Sequence, residues 1–421
     1  MAGFRHVTNI IYFLMKNLNI LDFFNGNSCR YLSGLSLATN QKSKFLMDMT
    51  TIKLPASFDS ITLIMVRLPF LKPFSTSSYT WTCKEALLVK ISSGGVTGWG
   101  ECVADPDPFY SPETTISAQY IIKEFLLPEL KPGMPVAEME AKFRQVRGNR
   151  MAKATVENAI LDLLAKQMGI PLYKLLGGEK KKIMSGISIG IQDSIPELLD
   201  SVSDAVDRKY HRVKMKIKKG KDYEWVKAVR EKFPDLQLMV DANGDYLPGD
   251  IGLLKKLDAF NLTMIEQPLA YDDIYLHAKL QKELATPICL DESIHSLEDA
   301  QMAIELKSCR VLNIKQGRVG GLLESTRMAK LAMDSGIGVW SGGMDETGIG
   351  RAFNIHLQAV AGFTIPGDTS ETCRYFKEDI VIPSVTLDTE GYIAIPEGSG
   401  IGVAVPDDLI KKYTISEKKV G

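Results

Sequence analysis

From about Met184 onward, short apolar runs alternate with stretches of helical spacing, and this regular alternation limits the possible folds more than any other feature. The runs are GISIGI, RVKMKI, LQLMVDAN, LTMIEQPL, PICLDES, RVLNIKQG, GIGVWSGG and FTIPGD. Between them, GDIGLLKKLDAF carries Ile251, Leu254 and Leu257 at steps of three, and YLHAKLQKEL carries Leu276, Leu280 and Leu284 at steps of four. Strand, helix, strand with short connections predicts a parallel sheet, because a parallel neighbour needs a crossover to reach it. Eight such strands in about 190 residues predict a closed TIM-type barrel rather than an open doubly wound sheet. No G-x-G-x-x-G follows an early strand, which argues against a dinucleotide-binding sheet.

Polar residues close these strands at regular intervals. Asp241 ends LMVD, Glu266 ends TMIE, Asp291 ends ICLD and Lys315 ends LNIK, at spacings of 25, 25 and 24 residues. Side chains at the C-terminal ends of barrel strands converge on one mouth, so three carboxylates would meet there. Without a counter-ion each would raise the pKa of the others. Three hard oxygen donors suit the octahedral shell of Mg2+. A single acid at such a place ordinarily caps the following helix, but three in phase, with lysines on both sides, form a pattern that capping does not explain.

One strand earlier, Val213, Met215 and Ile217 alternate with Lys214 and Lys216. An isolated K-x-K is ordinarily a solvated edge strand. Here it precedes the acids by one strand and Lys315 follows them by one, so the lysines would face each other across the metal. An ammonium beside a second ammonium and a divalent cation gives up its proton more readily, as a general base requires. The layout suits removal of a proton α to a carboxylate, with the metal stabilising the enediolate and a lysine collecting the proton.

The N-terminal part reads differently. ITLIMVRLPF and ALLVKISSGGVTGWGEC look like strands with a Gly-Gly turn, followed by helical stretches from about Pro112 and in VAEMEAKFRQV. ATVENAILDLLAKQMG has Val156, Ala159, Ile160 and Leu163 at helical spacing and Gly169 as a stop, so a helix is expected to bridge this α+β module and the barrel. VTLDTEGYIAIP, after the eighth strand, is too strand-rich for a barrel helix and is expected to return to the first module. The expected division is a poorly ordered extension over 1–58, an α+β cap over 59–155, the barrel over 156–374 and a segment returning to the cap over 375–421. Within the extension, TNIIYFLMKNLNILDFF is interrupted by Lys16, Asn17, Asn19 and Asp22 before the ~20 apolar residues that a membrane span needs. It also lacks a small-residue cleavage site. The preferred reading is a poorly ordered extension or an artefact of an upstream start, with Met47 or Met49 as the first residue.

The 50 basic and 51 acidic residues leave a net charge of −1, which offers no electrostatic footprint for nucleic acid or an anionic membrane. Six cysteines (Cys29, Cys83, Cys102, Cys289, Cys309, Cys373) form no C-x-x-C pair and read as reduced thiols of a cytoplasmic protein. Five histidines, none in H-x-x-x-H spacing, argue against zinc. The expected partner is a small-molecule carboxylate substrate.

KMKIKKGKD, DANGDY, MIEQPLAYDD, TPICLDES, NIKQGRVGGLLES and GGMDETGIGRA resemble the muconate-lactonizing subgroup of the enolase superfamily. Within it they are most similar to the branch shared by o-succinylbenzoate synthases and N-succinylamino acid racemases, over about Ile61 to Tyr413. The resemblance implies a TIM-type (β/α)7β barrel with an α+β capping domain built from the N-terminal part and the C-terminal segment. It implies Lys216 as acid/base, Lys214 beside it and Lys315 on the opposite face. Asp241, Glu266 and Asp291 would be Mg2+ ligands, and Asn243, Gly342, Gly343 and Met344 would border the substrate. It also implies a homo-oligomer, with KPFSTSSYTW and ADPDPFYSP as loops closing over the site. Three residues or runs depart from the family pattern: Gln316 where proline commonly follows the lysine, Asp345 where an apolar residue is usual, and NGDY for a more neutral run. Asp345 either disfavours a carboxylated side chain at the substrate wall or faces outward.

Overall fold

The computed structural model describes residues 47–76 and 79–421. The strands β1 (Ser60–Ser75), β2 (Thr80–Ser93) and β3 (Val96–Cys102) form an antiparallel meander. Gly94 and Gly95 make the β2–β3 turn with φ of 59° and 76°, the left-handed geometry that tight hairpins require. β1 has a partner on each edge, and Leu63, Ile64, Met65 and Val66 are all buried, so the run reads as continuously apolar rather than alternating. Three helices complete the cap: α1 (Thr115–Ile121), α2 (Val136–Gln145) and α3 (Arg150–Gln167). α3 lies directly on β3 because Gly98 and Gly100 leave room for it. A Cβ on either would stand about 2 Å from the Ala159 or Thr155 carbonyl. α3 runs unbroken through residues 155 and 156.

The end of the expected extension behaves otherwise. Met49 and Leu54 are buried in the main core, and the backbone there pairs with the segment before α2, Leu54 N–H donating to Met134 O and Val136 N–H to Ile52 O. Residues 49–54 are therefore built into the cap, because their apolar side chains fill its flank. The apolar stretch TNIIYFLMKNLNILDFF and the expectation of poor order there lie outside the described residues.

β4 (Lys182–Met184) leads into seven parallel strands: β5 (Gly186–Ile189), β6 (Arg212–Lys216), β7 (Leu238–Asp241), β8 (Ile265–Glu266), β9 (Ile288–Leu290), β10 (Val311–Asn313) and β11 (Gly338–Trp340). They neighbour one another in chain order, as right-handed crossovers through helices produce. The first crossover helix, α4 (Ile195–Asp207), buries Leu198, Val202 and Ala205 along one stripe. FTIPGD closes the ring through isolated parallel bridges rather than a regular strand, Phe363 bridging to Val339 and Gly367 to Ser185. Pro366, which has no N–H to give, interrupts the ladder at that point. Met239, Met264, Cys289, Val311 and Trp340 cluster as one buried layer of the interior.

The helix α5 (Gly348–Leu357) follows the seventh strand. β12 (Tyr392–Ala394), from VTLDTEGYIAIP, pairs with β4 rather than with the cap sheet as expected, because its register is taken by Lys182–Met184. The strand that does return is β13 (Thr414–Lys419), which pairs antiparallel with β1. Among the described residues no helix is long and apolar enough to cross a membrane.

Candidate active site

The alternation in β6 turns Arg212, Lys214 and Lys216 to the barrel interior. The first two stand over the Trp340 ring at 4.5 and 4.9 Å, while Val213 and Met215 are buried on the other face. Register then sets the level of the strand ends: Lys216 is opposite Asp241, and Asp241 opposite Glu266. Lys216 Nζ donates to Asp241 Oδ2 at 2.6 Å and to Asn243 Oδ1 at 2.7 Å. Lys214 Nζ lies 3.0 Å from Glu266, 3.2 Å from Asp241 and 2.7 Å from Asp368. Across the barrel, Lys315 Nζ donates to Asp291 Oδ2 at 2.8 Å and to the Tyr110 hydroxyl at 2.6 Å. Arg318 holds the other Asp291 oxygen.

These contacts bring the three lysines and three acids of the sequence reading into one cluster. Asn243 joins it directly and also donates to Glu292 Oε1 at 2.8 Å. Gly343 and Met344 line the cavity above the lysines. Gly342 packs beneath: a Cβ there would stand 2.4 Å from Asn313 Oδ1 and 2.7 Å from Lys315 Cε.

The charges hold one another in place. Burial opposes the charge on Lys214, but Asp368, Glu266 and Asp241 outweigh it and keep the ammonium well above the usual lysine range. Burial likewise opposes ionisation of Asp291, yet Arg318, Lys315 and Lys214 hold its carboxyl far below the usual range. Glu266 goes the other way, pushed up by burial first and then by the charge of Asp241. Glu292 is raised to about 7 by burial and by Asp291.

Sequence reasoning missed Arg212, Tyr110, Arg318, Asp368 and Glu292. Asp368 closes FTIPGD as the other acids close their strands, so the same argument reaches it. Arg212 continues the phase of the lysines by two residues. Tyr110 lies in ADPDPFYSP, the cap loop between β3 and α1 that the resemblance placed over the site, but nothing in the sequence singles out that residue within it.

The donor chemistry suits a hard divalent cation. Three buried carboxylates sit on adjacent barrel positions, and the fields of Asp241 and Asp291 both raise Glu266, so they act on a common volume. Among the described residues, no three acidic, histidine or cysteine side chains converge closely enough to hold a metal ion as they stand. The ammonium and guanidinium groups fill the space between the carboxylates.

Comparisons with known proteins agree with this architecture. Residues 60–177 match the N-terminal domain of mandelate racemase and muconate lactonizing enzymes, and residues 197–409 match the enolase C-terminal domain-like family. The o-succinylbenzoate synthase of Geobacillus kaustophilus is 47% identical over 81% of this chain and 92% of its own. The N-succinylamino acid racemase of Thermus thermophilus is 44% identical over 85% of this chain and 97% of its own. A crystal structure of an enolase superfamily member from Listeria innocua superposes with a TM-score of 0.83 at 44% identity, covering 86% of this chain and 98% of that one. The chain belongs to the enolase superfamily, with both domains of the mandelate racemase and muconate lactonizing enzyme family.

Proposed function

We propose that the protein is an o-succinylbenzoate synthase. It dehydrates 2-succinyl-6-hydroxy-2,4-cyclohexadiene-1-carboxylate to 2-succinylbenzoate, a step of menaquinone biosynthesis. The observation that carries this reading is the pair Lys216 and Lys315, which line the same cavity from β6 and β10, four places apart in a ring of eight. Their amines thus flank a bound α carbon from opposite sides, above three buried acids. Asp241, Glu266 and Asp291 would hold Mg2+, which when bound supplies positive charge opposite the two oxygens of the enediolate.

Lys216 in its neutral form takes the α proton, and Asn243 Oδ1 fixes its amine. The electron pair forms the new ring double bond as the C–O bond breaks, and Lys216 returns its proton to the departing hydroxyl, releasing water. Lys315 keeps its charge, since burial opposes it but Asp291 outweighs burial, and it steadies the negative intermediate. The opposed lysines also support a second reading, N-succinylamino acid racemase, in which Lys315 exchanges a proton on the other face of the same carbon. The free state of all five described cysteines fits the cytoplasm, and a homo-oligomer belongs to the same proposal.

The test is a pair of assays on purified protein with Mg2+, one for dehydration of the cyclohexadiene carboxylate and one for α-proton exchange into N-succinyl amino acids in deuterated water. Dehydration should be fast and lost on chelation, and Lys216→Ala should abolish both reactions with the fold retained. Trace dehydration beside fast exchange would transfer the assignment to the racemase, and turnover in Lys216→Ala would remove the assigned base.

A further inference from the structure

The cavity between cap and barrel contains polar groups that the proton-transfer chemistry leaves unused. Of its four lining acids, Asp105 is paired with Lys84, Glu346 accepts from Asn354, and Asp368 is held by Arg212 and Lys214. Asp345 is different. Among the described residues its carboxylate has no hydrogen bond or ion pair, although it is half-buried on the cavity wall. Its backbone has φ of 54°, a left-handed conformation that strains a side-chain-bearing residue and that aspartate tolerates better than most.

The cation acting most strongly on Asp345 is Lys84. That ammonium is already committed: it donates to Met344 O at 2.9 Å, Val103 O at 3.4 Å and Asp105 Oδ1 at 3.5 Å, which uses its three protons. The cavity is also lined by Phe70 and Trp81, and by Tyr375, whose ring already has Arg351 over it at 5.1 Å. Aromatic faces with a carboxylate form a surroundings suited to an organic cation. A second set of groups asks for the opposite partner. Trp81 Nε1, which can only donate, and the Ser188 hydroxyl both line this cavity, and both are buried without a hydrogen-bond partner among the described residues. A ligand that completes the site therefore brings an acceptor to Trp81 and Ser188 and a cationic donor to Asp345.

We propose that this cavity takes N-acylated amino acids whose side chain ends in an ammonium or guanidinium group, with Asp345 receiving that cation and Trp81 Nε1–H the acyl oxygen. The proposal rests on the reading of Lys216 and Lys315 as the groups that face the α carbon, since the substrate carboxylate is then directed to the lysine end. It assigns Asp345 a role in choosing the substrate and none in proton transfer. An uncharged side chain of equal length leaves Asp345 without a partner, and an anionic one meets like charge across a poorly solvated gap.

The test separates recognition from turnover. Binding of N-succinyl-L-lysine, N-succinyl-L-norleucine and N-succinyl-L-2-aminoadipate is measured by titration calorimetry in the Lys216→Ala protein with Mg2+, where no substrate is consumed. The lysine compound should bind about tenfold more tightly than the norleucine compound, and the aminoadipate compound most weakly. In the Lys216→Ala, Asp345→Asn protein the lysine preference should fall to about one, while norleucine affinity is unchanged and reports an intact cavity. Equal or weaker binding of the lysine compound, no binding of it at all, or a preference that survives Asp345→Asn would each overturn the proposal. α-Proton exchange of the three compounds by the wild-type protein is followed separately. Preferential binding of the lysine compound without exchange would leave recognition by Asp345 standing and remove the racemase reading instead.

Discussion

Acidification should destabilise this protein through one histidine far from any proton-transfer role. His356 lies in α5 with no exposed surface. Its Nδ1 accepts from the Tyr173 backbone N–H at 3.2 Å, its Nε2–H donates to Ile401 O at 3.0 Å, and the Tyr173 ring stacks on it at 5.9 Å. Both nitrogens are satisfied by the neutral ring, and a second proton on Nδ1 would face an N–H donor. Burial lowers its pKa from 6.5 to about 4. Between those two values the unfolded chain binds a proton that the folded chain does not, so stability is complete near neutrality and falls as the pH drops through 6.5 toward 4. At about 1.4 kcal/mol per pH unit, the loss reaches roughly 3 kcal/mol. Urea unfolding at about pH 7, 5.5 and 4.5 measures it, with His356→Gln as the comparison because glutamine cannot take up the proton. Several carboxylates contribute at the acid end, so the decisive quantity is the difference between the two proteins. Wild type should lose about 2.4 kcal/mol more than the variant between pH 7 and 4.5. Parallel loss in both would refute the assignment.

Two further perturbations probe how cap and barrel are joined. Glu101, on β3, accepts from Thr347 N–H at 2.9 Å, Thr347 Oγ1 at 2.5 Å and Gly350 N–H at 2.7 Å, and so caps α5 from the other domain. Glu101→Ala leaves these donors buried and unpaired and should cost about 3 kcal/mol or more by urea unfolding, whereas a loss below about 1 kcal/mol would show that the contact is dispensable. Gly100→Ala drives a Cβ to 2.0 Å from the Thr155 carbonyl, which is backbone and cannot rotate aside, so its melting temperature should fall sharply or soluble protein be lost. Gly249→Ala, with nothing within 4 Å, should melt with the wild type, and indistinguishable melting of all three proteins would overturn the packing argument.

Much of the site was legible because it obeys two short periods. The two-residue alternation of a strand put Lys214 and Lys216 on one face, and the βα repeat put Asp241, Glu266, Asp291 and Lys315 at one level. Both periods are local and survive any detail of packing. What escaped is non-local. Tyr110 reaches Lys315 across 205 residues of chain, and the short strand Tyr392–Ala394 finds Lys182–Met184, about 200 residues earlier, rather than the cap. The partner chosen in such cases depends on assembled geometry. Asp345 shows the boundary well: the sequence raised two orientations, and only the left-handed backbone at that residue and its place on the cavity wall decide between them.

The seam between β1 and β13 has a consequence for how the molecule is made. Thr62 through Val66 find their second edge only in residues 414–419, and Gly421 N–H still reaches Ile61 O. A nascent chain that has already threaded most of the barrel therefore carries an apolar ribbon with one bare flank until residues 414–419 have been made. The roof over the reaction chamber is therefore completed only after the barrel strands have been made, and a bulky insertion beside residues 414–421 would press on that seam.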